Sequence, residues 1–374
     1  MSILRSLLIV LFLVVHCFGE TVTIDPGKGD GIADSTEAIR DAVSLITSSR
    51  ASSRTFRVGG GIRFESGIYR ITETIDLPTG HGFRMEGQGI CVRRPARGIM
   101  PAGGPWLHST KYPFLATVLM WDGEPGQAMF RYSGVGGSFD GLSFWGDDSD
   151  GGVGLAFHVY QPGQRGDRPG IAIGHANFGL VTFSHFGGSG IQCGREYGDG
   201  NCADMSFDHL EFYQCLSGLR VLNSQGMNFA IRFCQAYECE QIFDFEGGGK
   251  LWCGLLSDAD NGRMLRLCRQ GTGNGIFSFG LIACDRERKV YGRWPRVVET
   301  FSLERDGRTI SPRATVVVDA LHIPNDMWGS RVPGFEELFR VDSPSQVIVR
   351  FGQYLPPSCS WDNVIFERKL EGFR

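Results

Sequence analysis

No stretch of this sequence beyond its first twenty residues is apolar enough to cross a membrane, a task that takes about 20 consecutive apolar residues. Positive charge is not in surplus either. The 37 Lys and Arg against 41 Asp and Glu leave a formal charge of -4, so no basic stripe marks a nucleic-acid partner. Proline is sparse at 16 residues, and glycine does not recur at every third position, which excludes a collagen-like chain and low-complexity disorder. Zinc spacing is missing as well: Cys234 and Cys239 stand five apart with no histidine pair downstream. What is abundant is glycine, 53 of 374 residues, about twice the roughly 7% usual in soluble proteins. With 42% hydrophobic residues and 27 phenylalanines the chain can bury a large core. A neutral sugar, a protein or a small molecule remains open as ligand.

Residues 1–19 have the layout of a secretory signal peptide: Arg5, the apolar run from Leu7 to Val15, then the small Gly19. Export to the extracellular space or periplasm is the expectation. Eleven cysteines less Cys17 leave ten, eight of them between Cys193 and Cys284. Cys193 and Cys202 flank the polar loop GREYGDGN and are placed to close it as a disulfide, while buried thiols are the competing state for the others.

One helix is expected at about 35–48, in GDGIADSTEAIRDAVSLI, with Ser35 as cap, Glu37 in the first turn, and Ala38, Ile39, Ala42, Val43 and Ile46 at helical spacing. From Gly59 the pattern changes to short apolar strands cut by Gly and Asp. A hexapeptide template, aromatic-x-x-aliphatic-x-apolar, recurs as FDGLSF from Phe139, FGLVTF from Phe178, FDHLEF from Phe207, VDALHI from Val318 and WDNVIF from Trp361. Looser copies start at Asn228, Trp252 and Ser278. Each step holds a second apolar pair, such as Leu219 with Val221 or Leu265 with Leu267. A helix-free repeat of this length suits one coil of a parallel β-helix, in which equivalent side chains stack about 4.8 Å apart. A β-sandwich is the alternative. The template aligns Leu142, Val181, Leu210, Ile231, Leu255 and Leu281 as one inward column, with Phe144, Phe183, Phe212 and Phe233 as the next. An irregular insertion, QPGQRGDRPG, is expected around 160–177.

The stretches GDGIADSTEAIRDAV, GGGIRFESGIYRITETIDLPTGHGFRMEGQG and ATVLMWDG resemble the opening of the pectin lyase-like (pectate lyase) superfamily. The resemblance covers roughly residues 24–123, and the coil repeat extends it to about 366. It implies an all-β fold, a right-handed single-stranded parallel β-helix with an N-terminal capping α-helix, formed by residues 20–374 with coils over about 59–366. For activity it implies a polysaccharide lyase or glycoside hydrolase acting on an extended polysaccharide, and it also admits a non-catalytic scaffold or adhesion module. The family's hydrolase and lyase motifs are not met. Gly174–His175 is followed by Ala176, and Arg293–Trp294–Pro295–Arg296 is a partial echo with different spacing.

Candidate chemistry comes from the template position that should face outward, between the aliphatic and the apolar residue. This gives Ser143, Thr182, Glu211, Arg232, Leu256 and Ile282, with His185, Gln214, Gln235, Asp258 and Asp260 beyond. Glu211, Asp258, Asp260 and His185 are the candidate catalytic groups, since hydrolysis needs two carboxylates and lyase chemistry a base. Arg232, Tyr213 and Gln235 are the candidate substrate-binding groups. Arg232 lies one coil from Glu211 in this alignment, close enough to pair, and Tyr213 and Trp145 offer rings to a sugar face. Each has an ordinary structural alternative: a surface ion pair for Glu211 with Arg232, a turn for Asp258 to Gly262, a turn hydrogen bond for His185. The acidic run of Asp147, Asp148 and Asp150 could hold calcium; a solvated turn competes, and no other metal or cofactor is expected.

Overall fold

The structure is a computed structural model, described over residues 21–24, 30–50, 59–78, 82–91, 116–148, 150–157, 173–195, 202–268, 275–284, 296–305, 308–323, 337–353 and 360–370. The leader and most of the expected insertion, over 158–172, lie outside these. The one helix among the described residues, Thr36–Arg50, begins where expected. Ser35 O accepts the first helical bond from Ile39 N at 3.1 Å. Asp34 takes a share of the capping, its Oδ1 accepting from Thr36 N at 2.9 Å. Ile39, Ala42 and Ile46 are buried against the end of the stack.

Two long parallel sheets make up most of the rest, beside a short parallel pair, Ile173–Gly174 with Cys202–Ala203, and an antiparallel pair, Leu303–Arg305 with Arg308–Ile310. The first runs through Leu142–Trp145, Asn177–Ser184, Met205–Tyr213, Phe229–Tyr237, Lys250–Ala259, Gly275–Cys284, Ala314–His322 and Gln346–Gln353. The second runs through Ala128–Tyr132, Asp150–Phe157, Gly187–Cys193, Ser217–Val221, Gln241–Phe245, Arg263–Leu267, Arg296–Thr300 and Phe339–Arg340. The chain alternates between the sheets, and each strand pairs in parallel with the strand one circuit later. That connectivity is a parallel β-helix, and one contiguous apolar core fills it from Ile24 to Val349. Stacked rings mark the core columns, Phe144 on Phe183 at 4.6 Å and Phe178 on Phe207 at 4.5 Å.

The register corrects the sequence alignment in three coils. Leu210 pairs with Cys234, Cys234 with Leu256 and Leu256 with Ile282, so the inward column passes through these residues rather than Ile231, Leu255 and Leu281. Phe212 is followed by Ala236 and not by Phe233. The physical reason is that a coil is fixed by its turns, and letters at Asn228, Trp252 and Ser278 imitate the template one to three residues early. Leu256 and Ile282, expected outside, are therefore core residues.

Between the sheets each coil turns on a single left-handed residue: His185 (φ 61), Gln214 (φ 50), Glu238 (φ 51) and Asp260 (φ 56). The backbone N–H of His185, Gln214 and Glu238 donates to Tyr213 O, Tyr237 O and Ala259 O of the next coil at 2.9, 2.9 and 3.1 Å. The residue after each of them, Phe186, Cys215, Cys239 or Asn261, turns inward and is buried. Cys193 and Cys202 are not joined to each other, correcting the expected disulfide: Cys193 ends a strand of the second sheet, Cys202 opens a strand of a separate short sheet, and both serve as core side chains. Burial pushes the Cys253 thiol up to about 12, away from reactivity.

Corner glycines are required where the backbone turns left-handed in a crowded place. Gly248 has φ 66, and a Cβ there would land against the backbone oxygen of Gly226. Gly248→Ala is expected to destabilise the stack by about 3 kcal/mol in denaturant unfolding, the range of overpacked cores.

Candidate functional site

Of the seven sequence-predicted site residues, the structure brings four together. Glu211 and Gln235 occupy consecutive levels of one outward column of the first sheet. Tyr213 lies two residues along the same strand, and its ring meets His185 at 5.6 Å. The group is bound into the wall of the coil. Glu211 is 6% exposed, with Oε1 2.7 Å from His209 Nε2. Gln235 donates to Tyr237 OH, and His185 Nδ1 is 2.9 Å from Asp148 Oδ1.

The other three fall elsewhere. Arg232 is not beside Glu211. The register pairs Phe207 with Ile231 and His209 with Phe233, so Arg232 is level with Asp208, on an exposed bend. Asp258 points into the core, level with Ala236 and Cys284, and is 1% exposed. Its Oδ1 accepts from Asn261 Nδ2 while Oδ2 has no hydrogen-bond partner. Burial raises its pKa from 3.8 to about 7. Asp260 is the left-handed turn residue, so the two aspartates do not share a strand face. Trp145 is buried too, donating from Nε1 to Cys91 O at 3.1 Å, and has no face for a sugar. Among the described residues no three His, Cys, Asp or Glu side chains gather as a metal site, the run at Asp147, Asp148 and Asp150 included.

A cleft of about 630 Å³ opens instead on the outer face of the second sheet. Two columns line it. One reads Arg220, Asp244, Arg266, Glu299 and Arg340 on successive coils. The other reads Ser217, Gln241, Arg263 and Arg296. Charges of opposite sign interleave. Asp244 meets Arg266 at 2.8 Å and Arg220 at 3.6 Å, and Arg220 reaches Glu246 at 2.5 Å. Glu299 meets Arg263, Arg296 and, at 3.8 Å, Arg340. Burial raises the pKa of Asp244 above its ordinary value, against the pull of Arg266. Three buried polar atoms of the lining have no hydrogen-bond partner, Arg220 Nε, Gln241 Oε1 and Arg296 Nε, and Gln241 is 8% exposed. Orphaned buried polar atoms at a cavity wall are the mark of a place where water or a ligand belongs. Phe301 closes one side, 44% exposed, with the Arg266 guanidinium 5.0 Å from its ring.

The sequence carried a signal for this cleft. The second apolar pair of each coil brackets one outward residue: Arg220 between Leu219 and Val221, Arg266 between Leu265 and Leu267. The same period-two rule applied to that pair reads out the column.

The coils and this cleft define a parallel β-helix carrying an ion-paired groove on its second sheet. No protein-family model and no curated protein matches the chain. Among solved structures it is similar to a mannuronan C-5 epimerase A-module from Azotobacter vinelandii, at 13% identity over 94% of this chain and 100% of that one, TM-score 0.48. It is also similar to a 1,3-α-1,4-β-D-galactose-4-sulfate-3,6-anhydro-D-galactose-2-sulfate 4 galactohydrolase, at 11% identity over 95% and 88%, TM-score 0.47. An iota-carrageenase complexed to iota-carrageenan fragments aligns at 11% identity over 95% and 89%, TM-score 0.45.

Proposed function

We propose that this protein is a carbohydrate-active β-helix that binds an extended polysaccharide in the second-sheet cleft and hydrolyses it there. The observation that carries the reading is the cleft's composition: planar guanidinium and carboxylate groups, each able to take paired hydrogen bonds, beside the exposed face of Phe301. Paired hydroxyls and the flat C–H face of a pyranose ask for those two surfaces. Asp244 serves as the acid, because burial keeps its proton on at higher pH than an ordinary aspartate. Glu299 serves as the base. It stands two coil steps away in the same column, about 9.6 Å along the stack at ~4.8 Å per step. This backbone spacing lies just above the roughly 6.5–9.5 Å that separates the two carboxyl groups in inverting hydrolysis.

The leader read over residues 1–19 fits a substrate met outside the cell. A second reading, a non-catalytic binding module, draws support from the three arginines that engage Glu299. The test is incubation with a panel of acidic and neutral glycans, following reducing ends and the absorbance of unsaturated products. New reducing ends without unsaturated products support hydrolysis. Unsaturated products would replace it with elimination, and binding without either product would leave the module.

A further inference from the structure

The first sheet bends outward at one residue per coil, where the ladder of paired residues skips a level. From coil to coil these bend residues are Asp208, Arg232, Gly254, Gly280, Asp319 and Arg350. The four charged ones are exposed, and Arg350 meets Asp319 at 2.9 Å. Two residues earlier on each strand lies a parallel outward column: Ser206, Ala230, Trp252, Ser278, Val317 and Ile348. Trp252 is 52% exposed in it, and Ile276 next to it 51%. A large exposed indole and isoleucine on a flat sheet face are unusual for a surface that meets only water.

The order of charges on the bend is self-complementary when reversed. A twofold axis parallel to the strands, passing between the levels of Gly254 and Gly280, turns the stack end for end. Asp208 then faces the partner's Arg350, Arg232 faces the partner's Asp319, and Gly254 faces the partner's Gly280. The two glycine levels fall at the centre, and the Trp252 ring leans over Gly254, 3.3 Å from where a Cβ would stand there, so the indole fills the space that the glycines leave. In the neighbouring column the same operation sets the bulky Trp252 against the partner's Ser278 and Ala230 against the partner's Val317. One operation thus satisfies charge along about 24 Å of the stack, five steps of ~4.8 Å, and matches large to small side chains.

We infer that this face joins two copies of the chain in an antiparallel, twofold-symmetric dimer. The second-sheet cleft lies on a different face, so the dimer presents two clefts. Symmetry makes each contact occur twice, so reversal of one charge is felt twice.

Sedimentation of the full chain over a range of concentrations tests this. The wild type is expected to double in mass as concentration rises. Arg232→Asp, which sets like charges face to face, is expected to weaken association about tenfold. Arg232→Asp combined with Asp319→Arg is expected to restore it, an outcome that a general loss of surface charge would not give. Trp252→Lys, also at an exposed position, should weaken association without lowering the unfolding midpoint. A wild type that stays monomeric, an Arg232→Asp variant that associates as tightly as the wild type, or a double variant no tighter than the single one would each overturn the dimer. Quenching of Trp252 fluorescence by a glycan in a chain that stays monomeric would assign the face to saccharide instead.

Discussion

Replacing Asp244 by Asn is expected to lower the rate of glycan hydrolysis by about 10²–10⁴-fold while leaving glycan affinity nearly unchanged, the size of effect that removal of a positioned proton donor produces. Asn keeps the shape of the side chain and can still face Arg220 and Arg266, but it has no proton to give to a leaving oxygen. The pH profile carries the sign. A carboxyl whose pKa is raised by burial holds its proton to higher pH, so the wild-type rate should fall on the alkaline side through that raised value. Arg266→Ala removes the nearest opposing charge, which lowers the pKa of Asp244, and the alkaline limb should then move to higher pH. Steady-state kinetics across pH, with kcat and KM resolved separately, checks both. A variant at Asp244 that retains full kcat would remove it from the chemistry.

The second large effect concerns stability. Asp258 sits in the core with a pKa raised from 3.8 to about 7, by burial first and by Asp260 in addition, against the opposing bond from Asn261. In the unfolded chain the carboxyl ionises near its ordinary value, whereas the folded chain keeps it neutral. Stability is therefore full below about pH 4, falls as pH rises towards about 7, and levels off above. At about 1.4 kcal/mol per unit, three units amount to about 4 kcal/mol. Asp258→Asn cannot ionise, and its amide occupies the same volume with the same carbonyl facing Asn261. The variant is expected to lose this pH dependence and to be more stable than the wild type at pH 8 by a few kcal/mol. Denaturant unfolding between pH 4 and 8 measures it; an unchanged slope in the variant would mean that Asp258 is solvated in the folded chain.

That the predicted catalytic Asp258 is a core residue shows where sequence reasoning stopped. The helix at Thr36–Arg50 and the coil repeat were legible because both are written in apolar spacing, which burial enforces at every level. Register was not. Cys234 and Ala236 occupy inward places where the preceding coil has Leu210 and Phe212, and Phe233 and Ile231 lie close by with the right chemistry for a different phase. A slip of one residue in a strand exchanges inside for outside. In this way Asp258 was assigned to the surface and Leu256 with it. Outward residues on the second sheet obeyed the same alternation and could be read, yet nothing in the letters Arg220, Asp244 and Arg266 says that they face one another; that depends on the number of residues in each turn. The turns themselves hid behind His185, Gln214, Glu238 and Asp260, none of them the glycine that a left-handed position favours.

The location of the binding cleft is the central claim, and one titration addresses it most directly. In an Asp244→Asn background that binds without cleaving, affinity for the glycan identified in the screen is measured with Phe301→Ala added, and separately with Glu211→Ala added. Binding in the second-sheet cleft predicts about tenfold weaker affinity on loss of the Phe301 ring, the scale of one aromatic contact, and no change on loss of Glu211. Weaker binding with Glu211→Ala and none of this loss with Phe301→Ala would contradict it and return the site to the first sheet.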